Sequence, residues 1–289
     1  MIGYYFFRAF SFFISILPWR CAYAFSDFAA FVMGKIIGYR KEVAMTNLKL
    51  SFPDKSEKEL KKILKMTYKN ITDIIIENIK IERIKLDDLK SRVEIENIEI
   101  LDKLYEENKS VVALMAHKGN WEWLGPGLQS RLEHEGYVAY KPLSNKYFDK
   151  YMQSLRDKFY KDRMVNFKNF LRFIINNKDK KQIYFFATDQ TPTKSEIGAW
   201  INFMNQETAF FNGGEKIAKS LGTAVVYIEN KRVARGKYRV KFHLITEDAS
   251  KDKEMDIMGI YAKMLENSLH EQTYDWLWTH RRWKHKRED

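Results

Sequence analysis

A single cysteine, Cys21, stands among 289 residues. It excludes an internal disulfide and fits a reducing compartment. There is no Cys/His cluster, and His134, His243, His270 and His285 lack metal-ligand spacing to one another. A structural zinc site is therefore not expected, and no metal or cofactor is. No GxSxG elbow is present, no Walker lysine loop and no GxGxxG, so serine hydrolysis and nucleotide binding have no motif to stand on. Acidic residues are in deficit: 38 Asp and Glu face 50 Lys and Arg, a formal net charge of +12. That balance favours an anionic partner, whether nucleic acid, lipid headgroup or acidic protein. Nucleic acid would rest on charge alone, without a recognisable module, and is not the expected partner.

A clean apolar run of about 20 residues, the length of a bilayer span, is also missing. Met1 to Leu17 is almost wholly apolar but broken by Arg8, and Pro18-Trp19-Arg20 stops it; Cys21 to Tyr39 is interrupted by Asp27 and Lys35. No basic segment precedes the first run and no small-x-small site follows it, which argues against a secretory leader. What is abundant is aromatic side chains, 15% of the chain, with 20 Phe, 16 Tyr and 7 Trp. Tyr and Trp suit a surface that is apolar on one side and wet on the other. Residues 1–40 are accordingly read as a membrane-associating helical region, two helices lying in one leaflet or forming a short hairpin. A buried helical hairpin of a soluble protein is the alternative.

Residues 41–289 read as one α/β domain, with no repeat, low-complexity linker or second boundary. Phe52-Pro53-Asp54 marks a turn and Ser56 a helix N-cap. Leu60, Ile63, Leu64 and Thr67, then Ile71, Ile74, Ile75 and Asn78, recur at helical spacing. Beyond them strands are expected at 92–98, 111–116, 137–141, 182–187, 224–229 and 238–245. Helices are expected at 101–107, 121–133, 146–160, 169–176, 213–220 and 255–269. Such alternation predicts a mostly parallel central sheet flanked by helices.

The chemistry concentrates at His117-Lys-Gly-Asn-Trp-Glu122-Trp123, directly after the apolar run 110–116. Gly119 and Asn120 read as a turn and Trp121 as the start of a helix. His117 would then sit at the carboxyl end of a strand, where open α/β sheets gather their ligands, with Glu122 in the next helical turn. A histidine with a carboxylate five positions later, across a tight turn, suits general-base catalysis: the imidazole takes a proton, and the carboxylate holds its tautomer and steadies the imidazolium.

This His-x4-Glu box, in the fuller form HxGNWE, resembles that of the lysophospholipid acyltransferase superfamily. Within it the chain is most similar to the lipid A secondary acyltransferase branch of Gram-negative bacteria. Further blocks follow in order over nearly the whole chain. Tyr140-Lys141-Pro142, Asn145, Gln153 and Arg156 are similar to a second block that ends in a substrate-contacting arginine. Lys141 stands where the family commonly has arginine, keeping the charge but not the bidentate fork. The strand 182–187 running into Asp189-Gln190 resembles a third block, in which the aspartate supports the site or contacts an acceptor hydroxyl. Gly198, Phe203-Met204 and the segment Thr208 to Gly214 stand where the family has a glycine-containing loop. Tyr274-Asp-Trp-Leu-Trp-Thr-His280-Arg281-Arg282-Trp283-Lys284 is similar to the closing block. Its Trp276, Trp278 and Trp283 among Arg281, Arg282, Lys284 and Lys286 suit a membrane interface and phosphate groups, or else pack the C-terminus onto the sheet.

The resemblance implies transfer of a fatty acyl group from a thioester to a lipid hydroxyl. His117 would be the base and Glu122 its orienting partner. Asn120, Lys141, Arg156, Asp189, Arg281 and Arg282 would be substrate contacts, and amides around Gly119 to Trp121 oxyanion donors. It further implies acyl carrier protein as donor, an acidic partner suited to the positive charge, and a lipid A precursor as acceptor. The setting would be the cytoplasmic face of a Gram-negative inner membrane. A lysophospholipid or amino-acid lipid acceptor remains open, and so does a catalytically silent protein that binds anionic lipid.

Overall fold

The computed structural model describes residues 2–287. Two helices come first, α1 (Ile2–Ile16) and α2 (Trp19–Phe31), and a π-helical turn, Val32–Ile37, extends the second. Gly38, left-handed at φ 65°, ends it, and α3 (Lys41–Ser51) leaves at 93°. The 24-residue α4 (Glu57–Lys80) begins with the expected Ser56 cap, completed into a capping box by Glu59. The remaining elements are α5 (Leu86–Lys90), β1 (Val93–Glu96), α6 (Glu99–Glu106), β2 (Val111–Met115), α7 (Leu124–Gln129), β3 (Glu135–Tyr140), α8 (Lys146–Tyr160), β4 (Met164–Asn166), α9 (Phe167–Asn176), β5 (Gln182–Ala187), β6 (Ala199–Phe203), β7 (Gln206–Phe210), α10 (Gly213–Leu221), β8 (Ala224–Ala234), β9 (Lys237–Thr246) and α11 (Ile257–Glu271).

Seven strands form one sheet in the order β1-β9-β8-β2-β5-β3-β4, and β6-β7 make a separate hairpin. The run β8-β2-β5-β3-β4 is parallel. β9 turns back antiparallel along β8, and β1 follows β9. β2 lies at the centre with all five residues buried, which explains its unbroken apolar sequence. Its side chains alternate between two cores. Val112, Leu114 and Ala116 pack with Phe186, Tyr227, Tyr261 and Trp276, whereas Val111, Ala113 and Met115 pack with Leu124, Leu128, Tyr151 and Leu155. Helices therefore cover both faces, the mostly parallel α/β architecture read from the sequence.

Three elements differ from expectation. The helix predicted over 121–133 is a single 3-10 turn, Trp121–Trp123, followed by the short α7. Gly125, Pro126 and Gly127 weaken it, and Arg131 turns the chain by donating to the Lys90 and Val93 carbonyls at 2.7 Å each. The β6–β7 hairpin was not predicted: its two-residue turn, Met204-Asn205, is left-handed at both positions without a glycine. β4, three residues long, is too short to show alternation.

Two of the three charges that interrupt the N-terminal apolar runs face the protein, while Lys35 is exposed. Arg8 pairs with Glu82 at 2.9 Å, and Asp27 pairs with Arg235 at 3.0 Å. Ser11 donates to the same Glu82, and Lys80 donates to the Ser15 and Leu17 carbonyls. On the other side of these helices Tyr5, Phe6, Phe12, Phe13, Ile16, Phe28 and Phe31 are exposed. No single helix among the described residues is long and apolar enough to cross a membrane; only the bent pair Trp19–Ile37 with Lys41–Ser51 meets that test.

Candidate active site

The parallel register of β2 and β5 sets Met115 beside Ala187. Two residues further along each strand stand His117 and Asp189, adjacent for the same reason. Asp189 Oδ1 lies 2.7 Å from His117 Nδ1, and the His117 backbone N–H donates to Asp189 Oδ2 at 3.0 Å. Trp276 Nε1 donates to that second oxygen at 2.8 Å. A carboxylate only accepts, so Nδ1 carries the ring proton and Nε2 is left as the basic nitrogen. Burial alone would push the Asp189 carboxyl up, but the His117 charge and these hydrogen bonds outweigh it and hold it below the usual range. Burial alone would lower His117; the Asp189 charge and hydrogen bond, with the more distant charge of Glu122, raise it instead. The imidazolium is thus favoured where a catalytic base must hold a proton.

Glu122, the expected orienting partner, makes no hydrogen bond to His117 among the described residues. The 3-10 turn carries its carboxylate to Arg156 of α8, which grips it bidentately, Nε to Oε2 at 2.9 Å and Nη2 to Oε1 at 2.6 Å. The two rows of the sheet supply the closer carboxylate from Asp189, so Glu122 reaches the imidazole only through space. Glu122 and Arg156 lie on the wall of one largely apolar cavity of about 200 Å³, which His117, Trp121, Met115, Leu124, Val138 and Phe185 also line. The His117 and Trp121 rings meet in a T-shaped pair, centroids 5.1 Å apart. Arg163, held by Tyr137 and Glu135 at 3.0 and 3.1 Å, reaches the same cavity.

Four residues expected to contact substrate do not line this cavity. Asn120 is fully buried and donates to Glu77 Oε2 at 2.8 Å. Glu77, whose carboxyl burial pushes up, also takes the Tyr23 and Tyr238 hydroxyls. Lys141 is exposed just past β3, 5.5 Å from the Phe167 ring, and does not line the cavity. Arg281 is exposed and also outside it. Arg282 is buried at 1% exposure, its guanidinium 4.4 Å from the Phe210 ring and without a hydrogen-bond acceptor among the described residues. Burial pushes it down to about 10, so it stays a cation at neutral pH, with the charges of Asp189 and Tyr261 acting the other way. It lies inside because the C-terminal segment folds onto the β6–β7 hairpin, where Trp283 Nε1 donates to Thr208 at 2.7 Å. Trp276 and Trp278 are buried by the same fold, packing residues and not interface anchors.

The second block has a local structural reason. Asn145 caps α8 by accepting from the Tyr147 and Phe148 amides. Tyr140 donates to Asp149, and Gln153 donates to both, so the strand end is clipped to the helix that carries Arg156.

Sequence reasoning missed what holds the His117 loop from behind. Lys118 is buried and pairs with buried Asp275 at 3.1 Å. Lys118 also donates to the Asn230 carbonyl, and Asn230 returns a bond to the Lys118 carbonyl at 2.8 Å. Gly119 is left-handed at φ 58°, and a Cβ there would lie 2.9 Å from Asn230 Nδ2, so the turn needs glycine twice over. Its N–H donates to the Asp275 carbonyl at 2.8 Å, which removes it from the expected oxyanion donors. Lysine in the box and aspartate between two aromatics were the only signals, and neither marks burial. Asp275→Ala is expected to cost about 3–5 kcal/mol in denaturant unfolding because it strands Lys118. The double change Lys118→Met with Asp275→Leu should recover most of that loss.

An imidazole anchored by a buried carboxylate opens on an apolar cavity at the carboxyl edge of the parallel strands, an arrangement suited to general-base chemistry. The chain belongs to the bacterial lipid A biosynthesis acyltransferase family, whose model matches residues 1–285. A comparison with curated proteins gives no match. Family and fold together make the protein an acyltransferase of that family.

Proposed function

We propose that the protein is a membrane-associated O-acyltransferase moving a fatty acyl group from an acyl thioester, carried on acyl carrier protein, to a hydroxyl of a lipid A precursor. The work would be done at the cytoplasmic face of a Gram-negative inner membrane. The observation that carries the reading is the His117–Asp189 pair opening on the apolar cavity. His117 Nε2 takes the proton of the acceptor hydroxyl, and that oxygen bonds to the thioester carbonyl carbon. The tetrahedral intermediate then breaks its carbon–sulfur bond, and the departing thiolate takes the proton back from His117. A thiol pKa near 8.5 makes that departure easy, so no metal or covalent enzyme intermediate is needed. Asp189 orients the base; Arg156, held by Glu122 on the cavity wall, supplies a cation to the charge that develops on the acyl oxygen. The exposed aromatic faces of α1 and α2 support seating in one leaflet.

The acyl chain occupies the cavity over β3 and β5. Gly136 borders it, and a Cβ there would lie 2.8 Å from Phe185 Cε2 and 2.9 Å from Gln129 Oε1. Gly136→Val should shift donor preference toward chains shorter by roughly two to three methylenes, the volume that the side chain adds. Competition between acyl thioesters of graded length measures it, and an unchanged preference would place the chain elsewhere.

The whole reading is tested by mass spectrometry of lipids from cells lacking the protein, complemented with wild type or His117→Ala. Loss of one acyl chain from lipid A, restored by wild type alone, supports it. A lysophospholipid or amino-acid lipid changing instead would move the acceptor, and full complementation by His117→Ala would leave a lipid-binding protein. Parallel assays with acyl carrier protein and coenzyme A thioesters decide the donor.

A further inference from the structure

A second cavity, of about 780 Å³, shares no lining residue with the one at His117. It lies in the elbow between the π-helical turn after α2, the start of α3 and the first half of α4. Its apolar lining includes Leu64 and Tyr68, with exposed Phe31 at its edge, and seven lysines surround it with one carboxylate, Asp27. The fold builds this concavity. The Tyr68 ring packs directly on Gly34, where a Cβ would come within 2.8 Å of it. The Tyr68 hydroxyl donates to the Tyr39 carbonyl at 2.8 Å, pinning the end of the π turn. A π-helical insertion of this kind is uncommon and tends to mark functional positions.

The charge is strongly one-sided. Lys58, Lys62, Lys65 and Lys69 repeat along one face of α4, and like charges at that spacing repel. Lys69 is neutralised by Asp27 at 3.1 Å and Lys61 by Glu57 at 2.8 Å. Lys58, Lys62 and Lys65, with Lys35 and Lys41 opposite, make no ion pair or side-chain hydrogen bond among the described residues. Beside the lysines the same elbow exposes Phe28, Phe31, Ile36 and Ile37, at 56–68% of their surface. An acidic protein would cover the lysines and leave these side chains in water. A bilayer satisfies both, taking the apolar edge into its acyl region and setting phosphates at the height of the lysines.

We infer that the elbow cavity binds the phosphate-bearing headgroup of an anionic membrane lipid, distinct from the lipid that reacts at His117. The inference rests on the membrane association proposed above and names where that association becomes selective for charge. The headgroup offers acceptor oxygens to Lys58, Lys62 and Lys65, while Phe31 and Ile37 enter the leaflet beside it.

The test is vesicle co-sedimentation of the full-length protein with phosphatidylcholine alone and with phosphatidylglycerol added. Wild type should bind both and prefer the anionic vesicles. The triple variant Lys58→Gln, Lys62→Gln, Lys65→Gln should lose on the order of 100-fold in affinity for the anionic vesicles, since each lysine at such a surface contributes about fivefold. Its binding to neutral vesicles and its circular dichroism should not change. A control with the same charge loss at exposed Lys178, Lys180 and Lys253 should keep the preference. Equal losses in both triples would make the attraction diffuse and overturn the site. A cavity variant that keeps vesicle binding but no longer binds acidic acyl carrier protein would make the elbow a protein surface instead. Release of wild type by inorganic phosphate, beyond that by chloride at equal ionic strength, would assign the cavity to the free ion. Wild type binding neutral and anionic vesicles alike removes the site but leaves membrane association standing. Binding to neither removes both.

Discussion

Replacing His117 by alanine is expected to lower the rate of acyl transfer by roughly 10²- to 10⁴-fold, the range that positioned acid–base groups contribute. The loss should fall on kcat more than on KM, because Nε2 acts on the hydroxyl proton and contributes little to holding the acyl chain. The side chain is partly open to the cavity and its removal breaks one hydrogen bond inside the fold, so the variant should fold. Near-normal turnover by a folded His117→Ala protein would exclude His117 as the base. A fall in KM-controlled binding alone would make it a positioning residue.

Asp189→Asn carries the second large effect and separates Asp189 from Glu122. Asparagine keeps the shape but loses the charge, and it can present an N–H to Nδ1, which would turn the imidazole to the wrong tautomer. A loss of about 10²- to 10⁴-fold is expected, comparable to removing the base itself. The pH profile should move as well. Activity rises with pH as His117 loses its proton, and the groups facing it set where that happens. The Asp189 charge, its hydrogen bond and the more distant Glu122 charge overcome burial and raise His117. Without the Asp189 charge, burial acts with less opposition, His117 falls, and the acid limb of kcat/KM shifts to lower pH. Glu122→Gln removes a weaker influence on His117 and breaks the fork to Arg156. Its acid limb should shift less, while KM for the donor rises. The opposite ranking, with Glu122→Gln moving the limb more, would return the orienting role to Glu122.

The difference between these two carboxylates shows how far linear reading reaches. Glu122 stands five residues from His117 and is visible as a pair in any listing of the chain. Asp189 stands 72 residues away and becomes its partner only through the register of β2 with β5. Asp189 was readable as a strand-end acid near the site, but not as the group holding the imidazole. Arg282 shows the converse. Its place among arginines and tryptophans suggested an exposed phosphate contact, and the fold of the C-terminal segment onto β6 and β7 put it in the interior.

Patterns with a local cause were legible along the chain: the buried run of β2, the Ser56 cap, the bounds of α8 and β5, and the HxGNWE box with its tight turn at Gly119. Each depends on neighbours within a few residues, where periodicity, capping and backbone sterics act. The antiparallel return of β9, the buried pair of Lys118 with Asp275, and the tie from Trp276 to Asp189 depend on segments brought together from far apart. Sequence by itself pointed to the strand that ends at His117, because a short unbroken apolar, β-branched run closed by a glycine turn suits a wholly buried strand. Which acid stands against the His117 imidazole was decided by strand register, since hydrogen bonding answers to distance in space and not to spacing along the chain.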